Sequence, residues 1–255
     1  MLSRRFAALG AGVFVVLAVA VPARAAETLV AVAANFAEVV EELKPVFGRH
    51  SGHRLQATTG STGKLYAQIT EGAPFQILLS ADANTPERLE REGMGVAGTR
   101  FTYAIGRLTL WSSDPNRIGQ DGKAALSAAT VRHIAIANPE LAPYGVAARE
   151  ALQKIGLWDS LQRTIVLGQN IGQTHSMVAT GNAQLGFVAL SAVLSPRAPP
   201  QGSRWDVPQE LFTPIRQDAI LLRAGRGNQA ADAFLRFLRS GEARRVIDQF
   251  GYGVE

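Results

Sequence analysis

The chain has 255 residues, with 26 Lys and Arg against 21 Asp and Glu, no cysteine, and 47% hydrophobic residues. The missing cysteines exclude a disulfide scaffold, thiol catalysis and thiolate metal sites, so the fold must rest on its apolar core. Setting aside Arg4, Arg5 and Arg24 of the opening segment takes the basic count from 26 to 23 against 21 acids and the net charge from +5 to +2, which gives no footing for nucleic acid or a polybasic membrane patch.

The first element is a leader. Arg4 and Arg5 precede an uncharged apolar run from Phe6 to Val21, and Ala23-Arg24-Ala25 places small residues around a cut. This is the layout of a secretory signal peptide over residues 1–26, cleaved near Ala25–Ala26. The run is about 16 residues long, short of the roughly 20 that span a bilayer. An exported chain of this size without disulfides points to the bacterial periplasm, and without a cysteine after the leader no lipid anchor is expected.

Strands and helices then alternate. Thr28 to Ala33 reads as a buried strand, and Phe36, Val39, Val40, Leu43 and Phe47 recur at helical spacing, with Pro45 expected to end or kink that helix. Arg54 to Thr59 and Phe75 to Ser80 read as strands, Leu65 to Thr70 and Thr85 to Glu92 as helices. Phe101 to Ser112 is a long extended run. His133 to Ala137, Thr164 to Leu167 and Gln184 to Leu190 are strands separated by helices at Ala147 to Ile155 and His175 to Thr180. Arg197 to Pro208 reads as a loop by its Pro and Gly content. Phe212 to Arg223 is again extended, and Asn228 to Arg239 and Glu242 to Phe250 close the chain as helices broken at Gly241. This order gives an α/β class. Two long extended segments bracketing a middle unit suggest two lobes joined by two crossing strands: lobe I from 27–105 plus 216–255, lobe II from 106–215. A single doubly wound sheet is the competing arrangement.

Four turns share one design, with small or hydroxyl residues between a strand and a helix start: Ala33-Ala34-Asn35, Gly60-Ser61-Thr62-Gly63, Pro143-Tyr144-Gly145 and Gln169-Asn170-Ile171-Gly172. Each leaves unpaired N–H groups at a positive helix end, and Asn35, Ser61 and Thr62 add side-chain donors. Taken singly, each turn is an ordinary N-cap; aimed at one cleft, they form a neutral cage for an anion. None carries Asp or Glu, the nearest acid being Glu140. A fully ionised tetrahedral dianion wants only donors, whereas hydrogen phosphate wants an acceptor for its proton, so the pattern favours sulfate-, molybdate- or tungstate-like ions. Gly60 to Lys64 is not a phosphate loop, because Lys64 is followed by Leu65 where the motif needs Ser or Thr.

Other groups assemble less. His50 and His53 lack an acidic third ligand for zinc. His175 and Ser176 are neighbours on a helix and do not face each other; a secreted hydrolase built on His175 or a carboxylate near Asp82 is the reading from another class. Tyr66 with Tyr144 could be an iron-binding phenolate pair, with a core or pocket-wall place the simpler reading for Tyr66. Trp111, Trp158 and Trp205 read as packing residues.

At these turns the chain resembles the periplasmic molybdate-binding proteins of ABC importers. The resemblance rests on VAVAANFAEVVEELKPVF (Val30 to Phe47), GSTGKLYAQITEGAPFQILLSAD (Gly60 to Asp82), IANPELAPYGVAAREALQKIGLWD (Ile136 to Asp159), GNAQLGFVALS (Gly181 to Ser191) and the last helix before FGYG. It implies the two-lobe class II binding-protein fold, each lobe a mixed sheet flanked by helices. It also implies an ion held between the lobes by hydroxyls and backbone amides, with molybdenum present only as the oxyanion. By position the ligands fall on Asn35, where many members have Ser, on Thr62 or the adjacent Ser61, on Tyr144 and on Ile171. The tyrosine that many members place near Val188 is Ala189 here, and the Tyr144 phenol is an alternative source of that hydroxyl. Gln76 stands where Asp is common, as a structural difference. The resemblance further implies molybdate and tungstate as cargo, a membrane permease as partner, no resident cofactor, no catalysis, and a monomer.

Overall fold

The computed structural model describes residues 25–197 and 202–253. All of the leader except residues 25–26 lies outside these described residues. In chain order the elements are β1 (Glu27–Ala33), α1 (Ala37–Ser51), β2 (Arg54–Gly60), α2 (Thr62–Thr70), β3 (Ile77–Leu79), α3 (Asn84–Arg91), β4 (Phe101–Gly106), β5 (Leu108–Ser112), α4 (Gly122–Leu126), β6 (Ile134–Ala137), α5 (Pro143–Lys154), α6 (Trp158–Leu161), β7 (Ile165–Gly168), α7 (Ile171–Ala179), β8 (Leu185–Ala189), α8 (Leu190–Leu194), β9 (Ser203–Asp206), β10 (Ile215–Leu221), α9 (Gln229–Leu238) and α10 (Gly241–Gln249).

The strands form two five-stranded mixed sheets, ordered β2-β1-β3-β10-β4 and β7-β6-β8-β5-β9. In the first, β1 runs parallel to β2 and β3 while β10 runs antiparallel to β3 and β4. The second repeats the plan: β6 is parallel to β7 and β8, and β5 is antiparallel to β8 and β9. The chain crosses between the sheets twice, at Arg107 between β4 and β5 and through residues 207–214 between β9 and β10. The extended run from Phe101 to Ser112 is therefore two strands in two sheets.

Side-chain alternation fixes both faces of the first sheet. Val30, Val32, Ile77 and Leu79 face α1, α9 and α10, packing on Phe47, Phe234 and Phe237. Ala31, Leu78 and Ile220 face the other way, onto Leu65 of α2 and Leu89 of α3. In the second sheet Ile134, Ile136, Leu185 and Phe187 pack on α5, while Ala135 and Val188 meet Val178 of α7. Among the described residues no helix is long and apolar enough to cross a membrane.

Two local details differ from the simplest expectation. Pro45 sits inside α1 without ending it. Its side chain is exposed, so the Glu41 carbonyl that loses its helical partner can turn to water. The stretch from Arg197 to Pro208, expected as a loop, contains β9, an edge strand whose Ser203, Arg204, Trp205 and Asp206 pair with β5. Edge strands tolerate the flanking Pro and Gly that argued against one.

Candidate functional site

The carboxyl ends of β1, β2, β6 and β7 all point into the space between the sheets, and the four turns lie there. Asn35 belongs to a 3₁₀ turn that runs into α1. Ser61 is the N-cap residue of α2 and Thr62 its first residue. Tyr144 follows Pro143 at the start of α5, and Ile171 is the first residue of α7. Asn35, Ser61, Thr62, Tyr144 and Ile171 all line one small cavity, completed by Ala33, Ala34, Gly60, Ala81, Ala142, Pro143 and Asn170. Its internal volume is only about 10 Å³. No lining residue carries a charge.

Local sequence explains how donors come to face this space. Pro143 takes the first position of α5, where its missing N–H costs nothing and its fixed φ suits the helix; the Tyr144 N–H behind it has no intrahelical acceptor. Gly145 lets this helix end press on the end of β6, since a Cβ there would stand 2.1 Å from the Ala137 carbonyl oxygen. Asn170 is a true cap, its side chain accepting from the Gln173 N–H at 2.9 Å; the Ile171 N–H remains for the cavity. Ser61 makes no capping bond, so the simple N-cap reading fails for it. The Thr62 hydroxyl accepts from the Ala81 N–H at 3.1 Å and keeps its own proton to donate.

Asn35 departs from expectation. Its Nδ2 donates to Gln217 Oε1 at 2.8 Å and to the Tyr252 hydroxyl at 2.9 Å, while its buried Oδ1 has no partner. The Tyr144 phenol is also engaged, accepting from Gln217 Nε2 at 3.2 Å. Tyr252 donates to the Asn35 carbonyl at 2.7 Å, and Ser191 donates to the same oxygen at 3.1 Å. Tyr103 lies 3.1 Å from Gln217 Oε1 and donates to the Ser80 carbonyl at 2.9 Å. Burial raises all three phenols: Tyr103 and Tyr144 go well above their usual value, and Tyr252 to about 12. They stay neutral hydroxyls at ordinary pH. Gln217, Tyr252, Tyr103 and Ser191 were not found from sequence. Each is distant along the chain, and no local pattern marks them.

The remaining candidates lie elsewhere. A wider groove of about 500 Å³ opens beyond Gly63 and Leu141, lined in part by Asp82, Glu140 and Glu150, which suit an oxyanion poorly. The Asp82 carboxylate accepts from Thr85 and Ser80, and burial raises its pKa against those bonds. His175 stacks on Trp111 at 4.7 Å, and the Ser176 hydroxyl donates to its own helix at the Gly172 carbonyl, so no nucleophile–base pair forms. His53 Nδ1 accepts from the Ala26 N–H, and His50 stands 3.7 Å from Glu242. Among the described residues no three His, Asp or Glu side chains stand together as a metal site. Tyr66 bonds Glu92 at 2.9 Å under Arg88, away from the cavity. Gln76 joins the Leu29 N–H and Asn228 and holds backbone in place.

Comparison with known proteins agrees with this geometry. The family model described as bacterial extracellular solute-binding protein matches residues 28–253. The Molybdate-binding protein ModA of Azotobacter vinelandii is 47% identical over 254 residues, covering 100% of this chain and 98% of that protein. The protein of the same name from Rhodobacter capsulatus is 46% identical over 240 residues, covering 94% and 93%. The solved structure of the periplasmic molybdate-binding protein of Azotobacter vinelandii superposes with a TM-score of 0.86 at 39% identity, covering 89% of this chain and 99% of that one.

Proposed function

The chain belongs to the bacterial extracellular solute-binding protein family, and from that membership we propose that it captures molybdate in the periplasm for the membrane permease of an ABC importer. It is a binding protein, not an enzyme. The observation that carries this reading is the convergence of four strand-to-helix turns, two from each sheet, on one small cavity without a charged side chain.

Lobe I, residues 27–106 with 215–253, supplies Asn35, Ser61 and Thr62; lobe II, residues 107–214, supplies the N–H groups of Tyr144 and Ile171. Closure brings the two half-sites onto the ion. The doubly charged oxyanion is held by dipoles alone: hydroxyls, amides and the positive ends of α2, α5 and α7. A hydrogen bond to a charged group contributes about 1.5–3 kcal/mol, so some six of them give of order 10 kcal/mol gross. After the costs of association and closure, that supports binding between micromolar and nanomolar. Tungstate matches molybdate in charge, shape and size and is expected to bind too. Sulfate has the same charge on a smaller ion that cannot reach both half-sites at once.

Calorimetric titration of the leader-free chain with sodium molybdate, tungstate and sulfate tests the reading. Tight molybdate and tungstate binding with sulfate weaker by about 100-fold or more is expected, each 1.4 kcal/mol counting as ten-fold. Equal affinity for sulfate and molybdate removes the size argument, and no uptake of either refutes the function.

A further inference from the structure

The buried carboxamides of Asn35 and Gln217 form a pair that can be read in two directions. As they stand, Gln217 Oε1 accepts from Asn35 Nδ2 at 2.8 Å, and Gln217 Nε2 donates to the Tyr144 hydroxyl at 3.2 Å. That arrangement leaves Asn35 Oδ1, a pure acceptor on a residue lining the cavity, with no partner. An oxyanion without a proton is repelled by an acceptor.

Turning both carboxamides over keeps every heavy atom in place. Gln217 Nε2 then donates to Asn35 Oδ1 and to the Tyr103 oxygen, whose own proton stays on the Ser80 carbonyl. Gln217 Oε1 accepts from the Tyr144 hydroxyl, and Tyr252 donates to Asn35 Oδ1. The Asn35 carbonyl still accepts from Ser191. Every group but Asn35 Nδ2 then has a partner within the protein, and Nδ2 is released as a donor.

Resting on the oxyanion reading above, we propose that Gln217 is the positioning residue of the site: its amide selects which end of Asn35 meets the ion, and a proton-free dianion is held with the pair turned so that Asn35 Nδ2 faces it. Gln217 is fully buried and does not line the cavity, so it acts only through Asn35 and Tyr144. It also ties the two lobes together, since Gln217 sits on β10 of the first sheet, Asn35 on the turn after β1 of the same sheet, and Tyr144 on α5 of the second.

The test has two arms. In the first, the side-chain amide resonances of Asn35 are followed in ¹⁵N-labelled leader-free chain as sodium molybdate is added; a shift at saturation is expected. In the second, Gln217→Glu is titrated at pH 8 with molybdate and with inorganic phosphate. An ionised carboxylate can only accept, which fixes Asn35 with its oxygen toward the ion, an acceptor that suits protonated phosphate. The preference for molybdate over phosphate is expected to fall about ten-fold. Asn35 resonances unmoved at saturation, or a variant that keeps its preference within about two-fold, overturn the proposal. If Gln217→Glu does not fold, the resonance arm decides alone. Failure of the unaltered chain to take up molybdate is a different result and removes the oxyanion reading beneath it.

Discussion

The Gly63 N–H donates to the Leu141 carbonyl oxygen at 3.0 Å, bonding the first turn of α2 on one sheet to the loop before α5 on the other. A Cβ on Gly63 would stand 3.2 Å from that oxygen and 3.3 Å from the Leu141 Cα. The missing side chain therefore sets how closely the lobes approach beside the cavity. Gly63→Val is expected to hold them apart, costing about 1–2 kcal/mol of closure and roughly ten-fold in molybdate affinity. Thermal stability without ligand should stay near that of the unaltered chain, because the clash is between lobes. Calorimetry with small-angle scattering checks this; an unchanged affinity and an unchanged ligand-bound radius of gyration would contradict it.

Ser61 and Thr62 separate by their other partners. The Ser61 hydroxyl makes no hydrogen bond within the described residues, so Ser61→Ala should weaken molybdate binding by about 1–3 kcal/mol and leave unfolding without ligand untouched. Thr62 also accepts from the buried Ala81 N–H. Thr62→Val orphans that donor and should lower both affinity and ligand-free stability, the latter by about 1–3 kcal/mol. A Ser61→Ala chain with full affinity removes that hydroxyl from the site.

The turns of the site were legible because their chemistry is local: Gly60, Ser61, Asn35 and Pro143 mark helix starts wherever they occur. That they meet in one cavity follows from strand order, which periodicity does not carry. Phe101 to Ser112 shows the limit, a long extended pattern that changes sheets at Arg107, interrupted only by Gly106 and that one charged residue. β9 shows tertiary pairing overriding composition, while Pro45 is tolerated because it faces water. The orientation of Asn35 was beyond reach for the same reason, since its partners Gln217 and Tyr252 lie 182 and 217 residues away.

Gly145 is a test of fold as much as of site. A Cβ there would meet the Ala137 carbonyl at 2.1 Å and the Pro139 nitrogen at 2.9 Å, both backbone atoms with no freedom to swing aside. Gly145→Ala must lift the start of α5 off the end of β6. A loss of about 3 kcal/mol is expected, lowering Tm by about 10 °C for a chain of this size, with the Tyr144 N–H displaced and molybdate affinity reduced. A melting temperature equal to that of the unaltered chain would show that the helix end is not held against the strand.

His175 gives the fold a dependence on pH. Burial holds its imidazole below the usual value, and the charge of Glu38 pulls weakly the other way; its buried Nε2 has no hydrogen-bond partner. Below pH 6.5 the unfolded chain therefore binds a proton that the folded chain takes up only at lower pH. The unfolded state then holds more protons, so stability rises with pH in this window. The contribution is complete above 6.5 and is lost as the pH falls through the lowered value. Asp82, raised by burial, works in the opposite sense at more acid pH, and its effect cancels in a comparison of variants. Between pH 7 and 5 the melting temperature of the unaltered chain should fall more steeply than that of His175→Gln, which keeps a polar side chain but cannot titrate. Parallel curves for the two chains would mean that His175 is as readily protonated folded as unfolded, and that its place against Trp111 carries no electrostatic cost.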